Sequence, residues 1–312
     1  MSHEVRTMAY VGETPWHGLG QQLTAGASIE TWIKEAGMDY EVLEAPVRFT
    51  AGSTECIFPG RKALYRSDDQ TPLGLVGDRY NIVQPREVVE FFRDLAEDHG
   101  FELETAGVLF NGKKYWALAK TPLELTVGKK DLVKAHMLMA TSCDGSMSTV
   151  NKYVATRVVC NNTIQMALGE SGAESKTRHN AKFKADDVKS EMALVGQAWD
   201  DFRVNAKALG SRKMNQQDIV SFLIKLYGDA EKPIEEQTAN SDTMKRIATK
   251  FVTRDYIGAD LSVDTAWGLV NCVTEFIDHD RGNSQDRRLE YAFFGGGADL
   301  KVQALKVALE FV

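Results

Sequence analysis

The chain has 312 residues, 43% of them hydrophobic and 26% charged, with 7 prolines; this excludes disordered, collagenous and low-complexity classes and sets a prior of two domains. Its net charge of −7 excludes a uniformly basic protein, and its four cysteines (Cys56, Cys143, Cys160, Cys272), with no C-x-x-C pair, indicate neither a disulfide framework nor a zinc knuckle. The N-terminus MSHEVRTMAYVGETPWHG has no basic region followed by an apolar run, and no stretch reaches the roughly 18 to 20 apolar residues that cross a bilayer, so a cytoplasmic protein without membrane association is expected.

In chain order, Ser28 to Gly37 reads as a short helix, with Ser28 as cap, Ile29, Trp32 and Ile33 facing inward and Gly37 as the stop. From Asp39 to Val83, short apolar runs broken by Gly, Asp and Pro read as antiparallel strands. Pro85 to His99 reads as a helix, with Pro at its first position, Val88, Val89, Phe92 and Leu95 on one side and Gly100 behind it.

Leu103 to Phe110 and Lys113 to Lys120 flank Asn111-Gly112, whose tolerance of positive φ makes it a strong hairpin signal. Lys134 to Ser142 and Ser146 to Ala155 flank Cys143-Asp144-Gly145 in the same way. Thr156 to Leu168 is read as a helix that tertiary packing must hold, because Val159, Asn161, Asn162 and Thr163 are poor helix formers.

Gly169 to Thr177 is polar and Gly/Ser-rich and reads as a loop; Lys176, Arg178, His179, Lys182 and Lys184 lie in and after it. Helical patterns then follow over Asp186 to Leu209, Asn215 to Tyr227, Asp242 to Thr253, Val263 to Asp278 and Asp299 to Val312. Strands first and helices afterwards predict an α+β fold, with a mixed domain over 1–184 and a helical domain over 185–312.

Catalytic and phosphate-cradle motifs are weak. Gly18-Leu19-Gly20 lacks the third glycine of a dinucleotide loop, and Gly295-Gly296-Gly297 is followed by Ala298-Asp299, not Lys-Ser/Thr, so it reads as the start of the last helix. No two histidines stand three or four residues apart, and Asp278-His279-Asp280 points its side chains in different directions along a helix. Cys143 and Cys160 have no base in sequence, and Ser142, Ser146 and Ser148 lack a nucleophile elbow; no cofactor or metal is indicated.

Charge is the positive clue. Between Asn111 and Ser190 there are 13 Lys/Arg against 7 Asp/Glu, a net +6, leaving −13 for the rest of the chain. Lys113, Lys114, Lys130, Lys152, Arg157, Asn161, Lys182 and Lys184 form a candidate nucleic-acid-binding set, because cations track phosphates while amides and an aromatic such as Tyr153 contact bases. Strand alternation puts Lys152 and Val154 on one face and Tyr153 on the other, so a solvated outer face over a buried tyrosine is the competing reading.

ETPWHGLGQQLTAGASIETWIKEAGMDYEV, SCDGSMSTVNKYVATRVVCNNTIQMAL, and AWGLVNCVTEFIDHDRG with FFGGGADLKVQALKVALE together resemble the phage/plasmid-like protein family, a family without assigned activity found in bacteriophages, prophages and plasmids. The resemblance implies DNA metabolism in a bacterial host cytoplasm. Its hairpin and helix core looks like that of single-strand annealing recombinases, which would set Lys152, Arg157 and Asn161 at a DNA groove. The expected partners are single-stranded DNA, further copies of the chain, and an exonuclease or single-strand-binding protein on the C-terminal helices. The competing classes are an inhibitor or DNA mimic acting on a host defence protein, and a metal-dependent enzyme acting on nucleic acid through Asp144, Asp278, His279 and Asp280.

Overall fold

The computed structural model describes residues 5–12, 20–157, 162–165, 174–179, 192–229, 232–233, 236–237, 242–281, 291–292 and 295–312. The fold is α+β. Its strands are β1 Val5–Val11, β2 Gln21–Leu23, β3 Val42–Ala51, β4 Thr54–Arg66, β5 Pro72–Gly77, β6 Glu102–Leu109, β7 Lys114–Val127, β8 Asp131–Ser142, β9 Thr149–Arg157, β10 Asn162–Gln165 and β11 Glu174–Thr177. Its helices are α1 Ile29–Glu35, α2 Pro85–His99, α3 Met192–Ser211, α4 Gln216–Tyr227, α5 Asp242–Thr253, α6 Ala266–Glu275 and α7 Gly296–Leu309.

One sheet has the order β10-β9-β8-β7-β6-β1-β2, with β11 also on β9, and a second has the order β3-β4-β5. The chain divides into two compact units, residues 1–122, 136–152 and 174–192 in the first and 123–135, 153–173 and 193–312 in the second. The strands β7, β8 and β9 therefore each change unit partway along. The boundary expected between Lys184 and Ala185 lies outside the described residues.

In the first unit, Ser28 caps α1 by accepting from the Thr31 N–H, and Trp32 and Ile33 are buried. The Pro85 start of α2 is docked on β3 by Gln84, whose side chain bonds both the N–H (2.8 Å) and the C=O (3.1 Å) of Val42. Val88, Val89, Phe92 and Leu95 fill the core beside Tyr115, whose hydroxyl donates to Val83 O. Each large apolar side chain removed from water in this way contributes about 1.5–3 kcal/mol.

The β6–β7 connection runs from Phe110 to Lys113 with a 3-10 turn over Phe110–Gly112, two residues longer than a two-residue hairpin, since Leu109 pairs with Lys114. Gly112 is required there: its φ is +107°, and a Cβ would lie 2.9 Å from Arg66 Nη1. The guanidinium of Arg66 lies 3.5 Å over the Tyr40 ring and is held by Asp68, which it keeps below the usual carboxylate range.

The second unit is built around Trp267 of α6, whose indole donates to the buried Asp131 Oδ2 at 2.9 Å. Phe202, Phe222, Leu269, Val270 and Val273 surround that core. Asn215 and Asp218 form a capping box on α4, and Gly295 starts α7, with Gly297 so close to Tyr291 that a Cβ would lie 2.6 Å from its ring.

Two expectations are corrected. Thr156 to Leu168 is not a helix where it is described: β9 runs to Arg157, and β10 pairs Thr163 with Thr156 and Ile164 with Ala155. β-Branched Thr156, Thr163 and Ile164 suit a pleated surface better than a helix, and the neighbouring strand supplies their hydrogen bonds. The polar run Gly169 to Thr177 ends not as a loop but as β11, which pairs Lys176 with Val150.

Candidate nucleic-acid interface

Within the first unit, the β8–β9 connection is folded by its own side chains. Asp144 Oδ1 accepts from the Ser146 N–H at 2.9 Å, Gly145 takes φ +79°, and Ser142 Oγ both accepts from Met147 N and donates to Met147 O. These bonds present Ser146 and Ser148 on a fixed loop.

Opposite it runs the β5–α2 connection Asp78-Arg79-Tyr80-Asn81, and His179 ties the two together. The rings of Tyr80 and His179 stack with centroids 4.3 Å apart at 15°. His179 Nδ1 lies 3.0 Å from Asn81 O and Nε2 lies 3.1 Å from Met147 O, while Asn81 N–H donates to His179 O at 2.6 Å. The Tyr80 hydroxyl donates to Ser142 O at 2.7 Å, and burial keeps it protonated well above the ordinary tyrosine range.

Between these walls lies a cleft of about 800 Å³, with Arg61, Arg79, Asp78, Ser146, Ser148 and His179 on its lining. Neither Arg61 nor Arg79 has a carboxylate within salt-bridge distance among the described residues. Two unengaged guanidinium forks, two hydroxyls and a rigid loop suit a phosphate oxyanion.

The same geometry speaks against turnover by these groups. Both His179 nitrogens face carbonyl oxygens, and the thiol of Cys143, one residue before the loop, donates to Gly112 O and is pushed up to about 12, first by burial and then by Asp144. A thiol held protonated is no nucleophile at neutral pH.

The residues expected from sequence are distributed over both units. In the first unit, Lys113 and Lys114 are half-buried at the β6–β7 turn, where Lys113 O accepts from Cys143 N–H at 2.9 Å and Lys114 lies 5.4 Å over the Phe110 ring. Lys152 is buried at 7% exposure, across from Glu174 on β11, and Tyr153 is buried as well. Lys130 is exposed on the β7–β8 turn of the second unit. Arg157 pairs with Asn162 through its backbone, and Asn161, Lys182 and Lys184 lie outside the described residues.

Arg61, Arg79 and Tyr80 were not singled out by sequence reasoning, and His179 was named there only within the basic run that follows the polar segment. The available signal was Gly77-Asp78-Arg79-Tyr80 directly after a predicted strand. Two carboxylates of the metal reading, Asp278 and Asp280, are engaged by lysines in the second unit. Asp278 is 2.8 Å from the fully buried Lys301, and Asp280 is 2.6 Å from Lys250, which also reaches Glu275 at 3.4 Å. Asp144 belongs to the other unit, and among the described residues no three His, Cys, Asp or Glu side chains cluster as metal ligands.

Among the described residues no helix is long and apolar enough to cross a membrane. The family model described as Domain of unknown function (DUF932) matches residues 72–293. Arg79, Tyr80, the Ser146–Ser148 loop and His179 fall inside the match, and Arg61 lies outside it. No curated protein and no solved structure matches the chain.

Proposed function

The chain belongs to the DUF932 family, whose description assigns no activity, and from its own side chains we propose that it is a phage- or plasmid-borne protein that binds and anneals single-stranded DNA. The observation that carries this reading is the cleft with Arg61 and Arg79 unengaged above the Ser146–Ser148 loop. Strand phosphates occupy that cleft. Lys113 and Lys114, at the turn that supports Cys143, extend the cationic track. Contacts from Lys130, Lys152, Arg157, Asn161, Lys182 and Lys184, self-association, an exonuclease or single-strand-binding protein partner, and action in a bacterial host cytoplasm are further parts of the proposal.

Fluorescence anisotropy of a labelled oligonucleotide at low and moderate salt, with light scattering on the same sample, tests it. Binding is expected to weaken steeply with salt, and Arg61→Ala with Arg79→Ala is expected to lower affinity about tenfold or more and to reduce the salt slope by roughly one for each phosphate no longer neutralised. Undiminished binding by that double variant at unchanged thermal stability would remove the cleft from the interface. No binding by the unaltered protein even at low salt, together with a stable complex with a host protein, would replace the reading with that of an inhibitor or decoy.

A further inference from the structure

The hairpin of β3 and β4 carries a feature that anion binding leaves unexplained. Beyond Pro46 the two strands leave the body of the first unit as an arm exposed on both faces, yet it bears Phe49, Ile57 and Phe58 at 47%, 59% and 49% exposure. An isolated two-stranded ribbon gains little stability from apolar side chains left about half exposed, so these residues need another reason to be there.

The pairing register shows how they are aimed. Pro46 pairs with Lys62 and Arg48 with Ile57, so the four residues Phe58-Pro59-Gly60-Arg61 stand opposite Val47 alone. This is a special bulge with three extra residues, its bend permitted by Gly60 at φ +73°. It turns the Phe58 ring edge-to-face with Phe49, centroids 6.3 Å apart, and delivers Arg61 to the cleft three residues later.

A second hollow, of about 480 Å³, lies along the arm, with Ile57, Phe58 and Pro59 at one end and Gly60, Arg61 and Asp78 at the other. Those last three residues also line the cleft with Arg79. The hollow that holds Phe58 thus adjoins a cleft that holds Arg61 and Arg79 beside Asp78, while Glu44 on the hollow is paired with Lys62. Charge and π-surface in that succession match a polymer that alternates phosphate with unpaired base.

We propose that the Phe58-Pro59-Gly60-Arg61 bulge reads exposed bases: Phe58, backed by Phe49, stacks on unpaired bases while Arg61 holds the adjoining phosphate, which makes the protein selective for single strands over duplex. This rests on the single-strand reading above and assigns its discriminating element. In a duplex the base faces are covered by stacking, so the ring has nothing to receive.

The test compares oligo(dT), an abasic oligomer of the same length and charge, and duplex DNA, for the unaltered chain, Phe58→Ala and Arg61→Ala. Phe58→Ala is expected to cost about tenfold on oligo(dT) and to leave abasic-oligomer binding and the salt slope unchanged. Arg61→Ala is expected to weaken all three ligands and to lower the salt slope by about one.

Equal affinity of the unaltered protein for oligo(dT) and the abasic oligomer, with Phe58→Ala without effect, overturns the stacking role and leaves phosphate binding standing. Binding of none of the ligands overturns both. Loss of a dimer in Phe58→Ala on light scattering, with oligonucleotide affinity intact, identifies the arm as an interface between copies and overturns the inference. Phe58 is half exposed and stands outside the core, so Phe58→Ala leaves the fold in place, and an unchanged melting temperature verifies this.

Discussion

Cys143 precedes the loop that walls the cleft, yet its thiol is pushed up to about 12 from an ordinary 9.0 by burial. Cys272 is raised by the same cause. A folded value above the unfolded one means that the folded state retains the proton, so this stability is present below about pH 8.5 and is lost as pH rises toward 12. Buried Tyr80, Tyr115, Tyr153 and Tyr227, all raised, act with the same sign from about pH 10 upward. Denaturant stability is therefore expected to be level between pH 7 and about 8.5 and to fall above about pH 9. At pH 8 a thiol reagent should label Cys56 on the arm rapidly, and Cys143 and Cys272 only at the rate of unfolding. Fast labelling of Cys143 in the folded protein would contradict the burial account. At this scale the sequence was a partial guide. Lys152 reads as a surface cation only if β9 has a solvated face, yet it is 7% exposed; Arg61 reads as one charge in a strand, and only the bulge beside it reveals its direction.

Elements with local signals were legible. The α2 range follows from Pro85 and Gly100, and the α1 cap at Ser28 and the α5 limits Asp242–Thr253 were readable in the same way. Capping is a contest among a few adjacent groups, so sequence decides it. In α4, Asn215 accepts from the Asp218 N–H at 2.9 Å while Asp218 Oδ2 accepts from the Asn215 N–H at 3.1 Å. Asn215→Ala is expected to cost about 1 kcal/mol in chemical denaturation with the m-value unchanged. A cost below about 0.3 kcal/mol would mean that packing, not the cap, fixes this helix start. Thr156 to Leu168 was misread because its pairing partners decide its state: β10 exists only against residues 154–157, and an apolar run of mixed period does not announce which neighbour will claim it. β1 went unread for a related reason, since a single strand at the chain start gains its meaning from β6 and β2 on either side.

For the whole molecule, composition fixed the class and the order of elements fixed α+β, while the interleaving of the two units was not readable. β7, β8 and β9 pass from one unit to the other, and no composition shift marks a boundary inside a continuous strand. The same interleaving divides the basic stretch from Asn111 to Ser190 between the two units. It contributes Lys113 and Lys114 to one unit and Lys130 to the other, while the cleft takes its arginines from 61 and 79, upstream of it. The central claim is that single-stranded nucleic acid lies along the β3–β4 arm and the Arg61–Arg79 cleft. Ultraviolet crosslinking of the whole protein to oligo(dT), with the adducts located by peptide mass spectrometry, tests it most directly. The account predicts adducts at Phe58, Tyr80 and the Gly145–Ser148 loop that disappear at high salt; adducts confined to the helices of residues 192–312 would contradict it.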